Sequence, residues 1–128
     1  MRNNTCHFYS WFFLLATVSG TLTSAQDHSL RDIPDPAIIQ AGDEYVIFAT
    51  GPGIPIYRSG DLVHWKKSGR VFAKKVPDWV NEKVPQTSGV WAPDIAFYDG
   101  WYRLYYAVSS LGSQRSCIGL TLNRTLDP

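Results

Sequence analysis

Residues 88–110 read SGVWAPDIAFYDGWYRLYYAVSS, and Tyr98-Asp99-Gly100 splits the stretch in two. Beyond the split, Tyr102, Leu104 and Tyr106 share one face of an extended chain, while Arg103, Tyr105 and Ala107 share the other. An Asp-Gly pair between runs rich in aromatic and β-branched residues signals a hairpin. Asp99 therefore reads as a turn residue. Similar short runs recur as EYVIFAT (44–50), IPIYRS (54–59) and SCIGLTL (116–122), punctuated by A-G-D-E, G-P-G, S-G-D and L-G-S. Little reads as helix, and strands apolar on nearly both faces belong in stacked sheets. Residues 74–89 hold two prolines and scattered charges, so they read as a longer loop.

The same pattern occurs one unit earlier. A gapless shift of 57 positions places Pro36 on Pro93, Ile38 on Ile95, Tyr45 on Tyr102 and Arg58-Ser59 on Arg115-Ser116. Ile47 then meets Leu104 and Phe48 meets Tyr105. A period of this size built from short strands points to the four-stranded blades of a β-propeller. Blade 1 is expected at about 32–73, a loop at 74–89 and blade 2 at about 90–128. One blade cannot cover both faces of its own sheet. Fewer than two full units are present, so the chain is expected to be part of a larger propeller.

The N-terminal residues have a different character. Arg2 precedes the apolar run WFFLLATVSG (11–20), which is too short to span a bilayer, and T-L-T-S-A follows with small residues at Thr23 and Ala25. Residues 1–25 are expected to be a secretory signal cleaved after Ala25, leaving 26–128 as the working chain and a secreted or periplasmic location. Of 12 Lys+Arg and 11 Asp+Glu, the signal removes only Arg2, so the remainder is balanced in charge. That balance argues against a nucleic-acid partner, or a membrane partner after signal cleavage. Cys6 leaves with the signal, and Cys117 in S-C-I-G-L reads as a small buried hydrophobe. His28 and His64 have no partner at metal-ligand spacing, so neither metal nor cofactor is expected in this chain.

Besides Asp99, three aspartates sit beside aromatic or proline-rigid positions. Asp35 lies in I-P-D-P, where prolines on both sides give a rigid mount suited to a catalytic group, although Asp before Pro also starts ordinary turns. Asp94 in W-A-P-D follows Trp91, a flat apolar face for a sugar ring or a core filler. Asp61 in S-G-D-L-V-H-W is a poor match to the Asp-box turn, with Val63 where that motif has glycine and Trp65 one residue early. Glycoside hydrolysis needs one group to protonate the leaving oxygen and another to activate water or attack. Asp35 and Asp94 are the tempting pair, and nothing in their spacing shows that they face each other.

DPAIIQAGDEYVIFATGPGIPIYRSGDLVHW, VPDWV and VWAPDIAFYDGWYRLYYAVSSLGSQRSCIGLTLNRTLDP together resemble the N-terminal part of glycoside hydrolase family 43, and most closely its endo-α-1,5-L-arabinanases. The segments cover nearly all of residues 31–128. W-A-P-D-I is shared widely in that family. G-P-G-I-P-I, S-x-x-G-S-x-R-S-x-I-G-L and T-L-D-P are more particular to the arabinanase branch. The resemblance implies an all-β, five-bladed β-propeller of which this chain supplies about the first two blades. It implies inversion of configuration by a general base, a general acid and a residue that tunes the acid.

On the same resemblance, Asp35 matches the general base, and the other two carboxyls come from later blades. Asp94 is then a supporting residue whose carboxylate satisfies donors near the cleft, and Trp91 stacks on an arabinose ring. An inverting pair stands roughly 6.5–9.5 Å apart to admit the attacking water. Two positions depart from the arabinanase pattern: Pro34 stands where histidine is usual, and Leu111 where an aromatic is common. The implied activity is cleavage of α-1,5-L-arabinan of plant cell walls. The alternatives are a β-xylosidase or α-L-arabinofuranosidase of the same family, or a non-catalytic sugar-binding propeller. Lacking the general acid, the 128-residue chain alone is expected to be inactive and marginally folded.

Overall fold

A computed structural model describes residues 30–128. The expected signal (1–25), Cys6 and His28 lie outside the described residues. Two antiparallel meanders make up the fold. β1 (Ala37–Ala41), β2 (Glu44–Phe48), β3 (Pro55–Ser59) and β4 (Lys66–Arg70) form one sheet in sequence order. β5 (Trp91–Tyr98), β6 (Trp101–Ser109) and β7 (Ser116–Asn123) form the second. The sheets approach each other through β1 and β5, the first strand of each, as the inner strands of neighbouring propeller blades do.

Alternation along the strands decides which face is covered. Val46, Phe48 and Ile56 of the first sheet pack with Leu104, Tyr106 and Val108 of the second in one core. The connection between the sheets contributes Val80, Val84 and Val90 to that core. Residues 74–89 are thus more than the expected loop: α1 (Val80–Lys83) is a single helical turn. No side chain caps it, and Val80 N–H donates to Pro77 O at 3.1 Å. With so little helical hydrogen bonding, burial of Val80 and Val84 is what holds the turn. Phe72 meets Tyr106 edge-on with centroids 5.2 Å apart, and Trp79 tilts against the same ring. Burial pushes the Tyr106 hydroxyl pKa up.

The first hairpins of the two sheets repeat with the 57-residue shift. Ile38 pairs with Ile47 and Ala41 with Glu44, as Ile95 pairs with Leu104 and Tyr98 with Trp101. The third strands do not. Tyr45 faces Ser59, but Tyr102 faces Asn123, so the offset there is 64 and Ser59 corresponds to Asn123 rather than Ser116. The cause is length: β6 runs nine residues against five in β2, so β7 returns later along the chain. The turn hydrogen bonds follow the new offset. Ser59 Oγ accepts from Asp61 N–H at 3.1 Å, and Asn123 Oδ1 accepts from Thr125 N–H at 3.3 Å. The Arg58-Ser59 match to Arg115-Ser116 is therefore coincidental. The polar strand β4, KKSGR, completes the four-stranded blade without any alternating pattern of its own.

Candidate active site at the shared end of the two sheets

Asp35 lies two residues before the first residue of β1, and Thr50 lies two residues after the last residue of β2, at the same end of the hairpin. Trp91 and Ala92 open β5 at the corresponding end of the second sheet. Three backbone features make this end unusual. Asp35 and Ala92 both have positive φ, 46° and 43°, and they are equivalent under the 57-residue repeat. A register shift, a β-bulge, falls between Trp91 and Asp94. Left-handed backbone at a non-glycine residue costs of order 1–3 kcal/mol and persists only where the surroundings impose it. Asp tolerates that conformation better than Ala does.

The carboxylate of Asp35 is exposed and is not used to cap its own turn. Its Oδ2 accepts a 2.7 Å hydrogen bond from Thr50 Oγ1, fifteen residues away. Thr50 Oγ1 in turn accepts from Ala92 N–H at 2.7 Å, and Thr50 N–H donates to Pro34 O at 3.0 Å. One threonine thus ties the backbone before Asp35, its carboxylate and the start of β5 together. This residue was missed in the sequence. Nothing in the sequence marks Thr50; what the repeat does offer is the alignment of Asp35 with Ala92 and not with Asp94.

Asp61 shows what a turn aspartate does instead. Its Oδ2 lies 2.7 Å from His64 Nδ1, and its Oδ1 accepts from the backbone N–H groups of His64 at 2.7 Å and Val63 at 2.9 Å. The His64 ring first, and then these amides, hold its carboxyl well below the usual carboxylate range. Asp99 and Gly100, at φ 52° and 73°, form the tight turn between β5 and β6 that their Asp-Gly signature predicts.

Trp91 is half-buried, and its Nε1–H donates to Ser109 O at 3.2 Å. The indole is fixed at one edge while part of it stays open. Asp94 is exposed in β5 opposite Tyr105. Its carboxylate accepts no hydrogen bond among the described residues. Asp35 and Asp94 share no partner; the relay reaches W-A-P-D through Ala92. Pro34 meets the relay with its carbonyl, and Leu111 stands in solvent, 99% exposed. No group of three or more His, Cys, Asp or Glu side chains occurs among the described residues in a metal-binding arrangement. Free Cys117 is half-buried against the core.

The model of glycosyl hydrolases family 43 matches residues 30–127. The chain belongs to this family. It is 40% identical over 121 residues to an extracellular exo-α-(1→5)-L-arabinofuranosidase of Cellvibrio japonicus, covering 94% of this chain and 34% of that protein. It is 34% identical over 96 residues to an extracellular endo-α-(1→5)-L-arabinanase of Bacillus subtilis, covering 72% of this chain and 30% of that protein. Among solved structures, an α-L-arabinanase of Cellvibrio cellulosa complexed with arabinohexaose superposes with a TM-score of 0.71 at 43% identity. That superposition covers 77% of this chain and 31% of the other. The chain thus spans about a third of the length of the relatives it matches, and its two sheets are blades of a family 43 propeller.

Proposed function

We propose that this chain forms the first two blades of a secreted, inverting glycoside hydrolase that cleaves α-1,5-linked L-arabinan. Asp35 is the general base. Its carboxylate takes a proton from a water molecule as that water attacks the anomeric carbon on the face opposite the leaving sugar. The glycosidic bond breaks, and the leaving oxygen receives its proton from a general acid on another part of the propeller, so protons balance over the single displacement. Trp91, fixed at one edge by Ser109, offers the open part of its ring to a furanose face. Asp94 borders the same end of the second blade.

The observation that carries this reading is the state of Asp35: an exposed carboxylate on a left-handed residue, held by one hydroxyl from outside its own turn. A turn starter would spend its oxygens on nearby amides, as Asp61 does. Family membership and the arabinan-directed names of the relatives support the substrate class, and "extracellular" in those names supports secretion. The test is the first-formed anomer when the full-length protein cleaves linear arabinan, followed by proton NMR. Inversion is expected, with slower turnover on xylan. Retention, or no cleavage of either polymer, would refute the proposal.

A further inference from the structure

We infer that Thr50 is the positioning residue of the general base, a role that rests on reading Asp35 as that base. A hydroxyl has a single proton. Ala92 N–H, 2.7 Å away, is a donor only, so the Thr50 oxygen accepts from it and directs its own proton to Asp35 Oδ2, also at 2.7 Å. The relay is therefore polarised from blade 2 to the carboxylate, and each bond strengthens the other. Oδ2 is committed to Thr50, which leaves the other carboxylate oxygen to take the proton from water. The Thr50 amide, bonded to Pro34 O at 3.0 Å, fixes the backbone on the near side of the same residue.

Position matters because the base and the sugar platform stand on different blades. Ala92 adjoins Trp91, so the two bonds of the Thr50 hydroxyl set the distance between the Asp35 carboxylate and the indole. The left-handed backbone at Asp35 and Ala92 presents the carboxylate and the amide to one hydroxyl. The β-branched threonine restricts χ1, so the hydroxyl is held where both partners need it. A base displaced by about 1 Å costs on the order of 100-fold in turnover.

Thr50→Val preserves shape and removes the relay; Thr50→Ser restores the hydroxyl on a looser side chain. In the full-length protein acting on linear arabinan, Thr50→Val is expected to lower kcat by about 100-fold. KM should move far less, and Thr50→Ser should recover most of kcat. In the Asp35→Asn background, Thr50→Val should cause no further loss. Wild-type kcat in Thr50→Val, with Asp35→Asn inactive, would overturn the positioning role alone. So would a loss that Thr50→Ser fails to rescue, or one that adds to Asp35→Asn. Full activity in Asp35→Asn would overturn the base assignment, and the role of Thr50 with it.

Discussion

Asp35 and Asp61 carry the same side chain in opposite circumstances, and the contrast separates function from architecture at the scale of a residue. Asp61 is saturated by its own turn, and His64 above all holds its pKa low. A carboxyl lowered on folding adds stability that is complete above the unfolded pKa, near 4, and is lost as pH falls below that value. Asp61→Asn should therefore lower the urea midpoint at pH 7 and flatten its decline below about pH 4. An unchanged acid slope would contradict this account of Asp61. Asp35 makes one side-chain hydrogen bond and has a strained backbone. Asn tolerates the left-handed region and keeps an acceptor for Thr50, so Asp35→Asn removes the carboxylate proposed as the base without disturbing its mount. Thermal stability of this variant should match the wild type in a melting experiment.

Among the elements, the first hairpin of each blade was legible because its signals are local. Tyr98-Asp99-Gly100 encodes the turn, and alternation along β6 encodes the face. The gapless shift failed at β7 because strand length is set by what the strand packs against, and β6 reaches as far as Val108 to fill the core. β4 was illegible for a related reason: KKSGR lies exposed at the sheet edge, where pairing to β3 and not hydrophobic pattern makes the strand. α1 escaped notice because it is one turn long and held by burial. Asp35 could be singled out by its flanking prolines, but Thr50, a common residue in a common context, could not. Within β7 the tightest constraint is Gly119, where a Cβ would run into the Tyr106 ring. Gly119→Ala should destabilise the fold by roughly 1–3 kcal/mol in chemical denaturation. A neutral result would mean that Tyr106 can shift freely.

For the molecule as a whole, Arg58 joins the two blades at the end away from the site. Its guanidinium donates to Glu44 at 2.9 Å, to the Leu126 carbonyl at 2.8 Å and to Asp127 at 3.0 Å. Both carboxylate partners are exposed, so Arg58→Ala should cost only about 1 kcal/mol, and less at high salt. The opposite face of the second sheet is uncovered, with Tyr105, Ile118, Leu120 and Leu122 exposed together. Residues 26–128 alone should therefore self-associate at micromolar concentration, and Ile118→Lys with Leu120→Lys should reduce this in light scattering. A cooperative, monomeric melt of the unsubstituted segment would contradict that expectation. The central claim is that Asp35 is the base, and turnover of linear arabinan by full-length Asp35→Asn tests it most directly. Activity about 10²–10⁴-fold below wild type is expected, and turnover within a few-fold of wild type would contradict it.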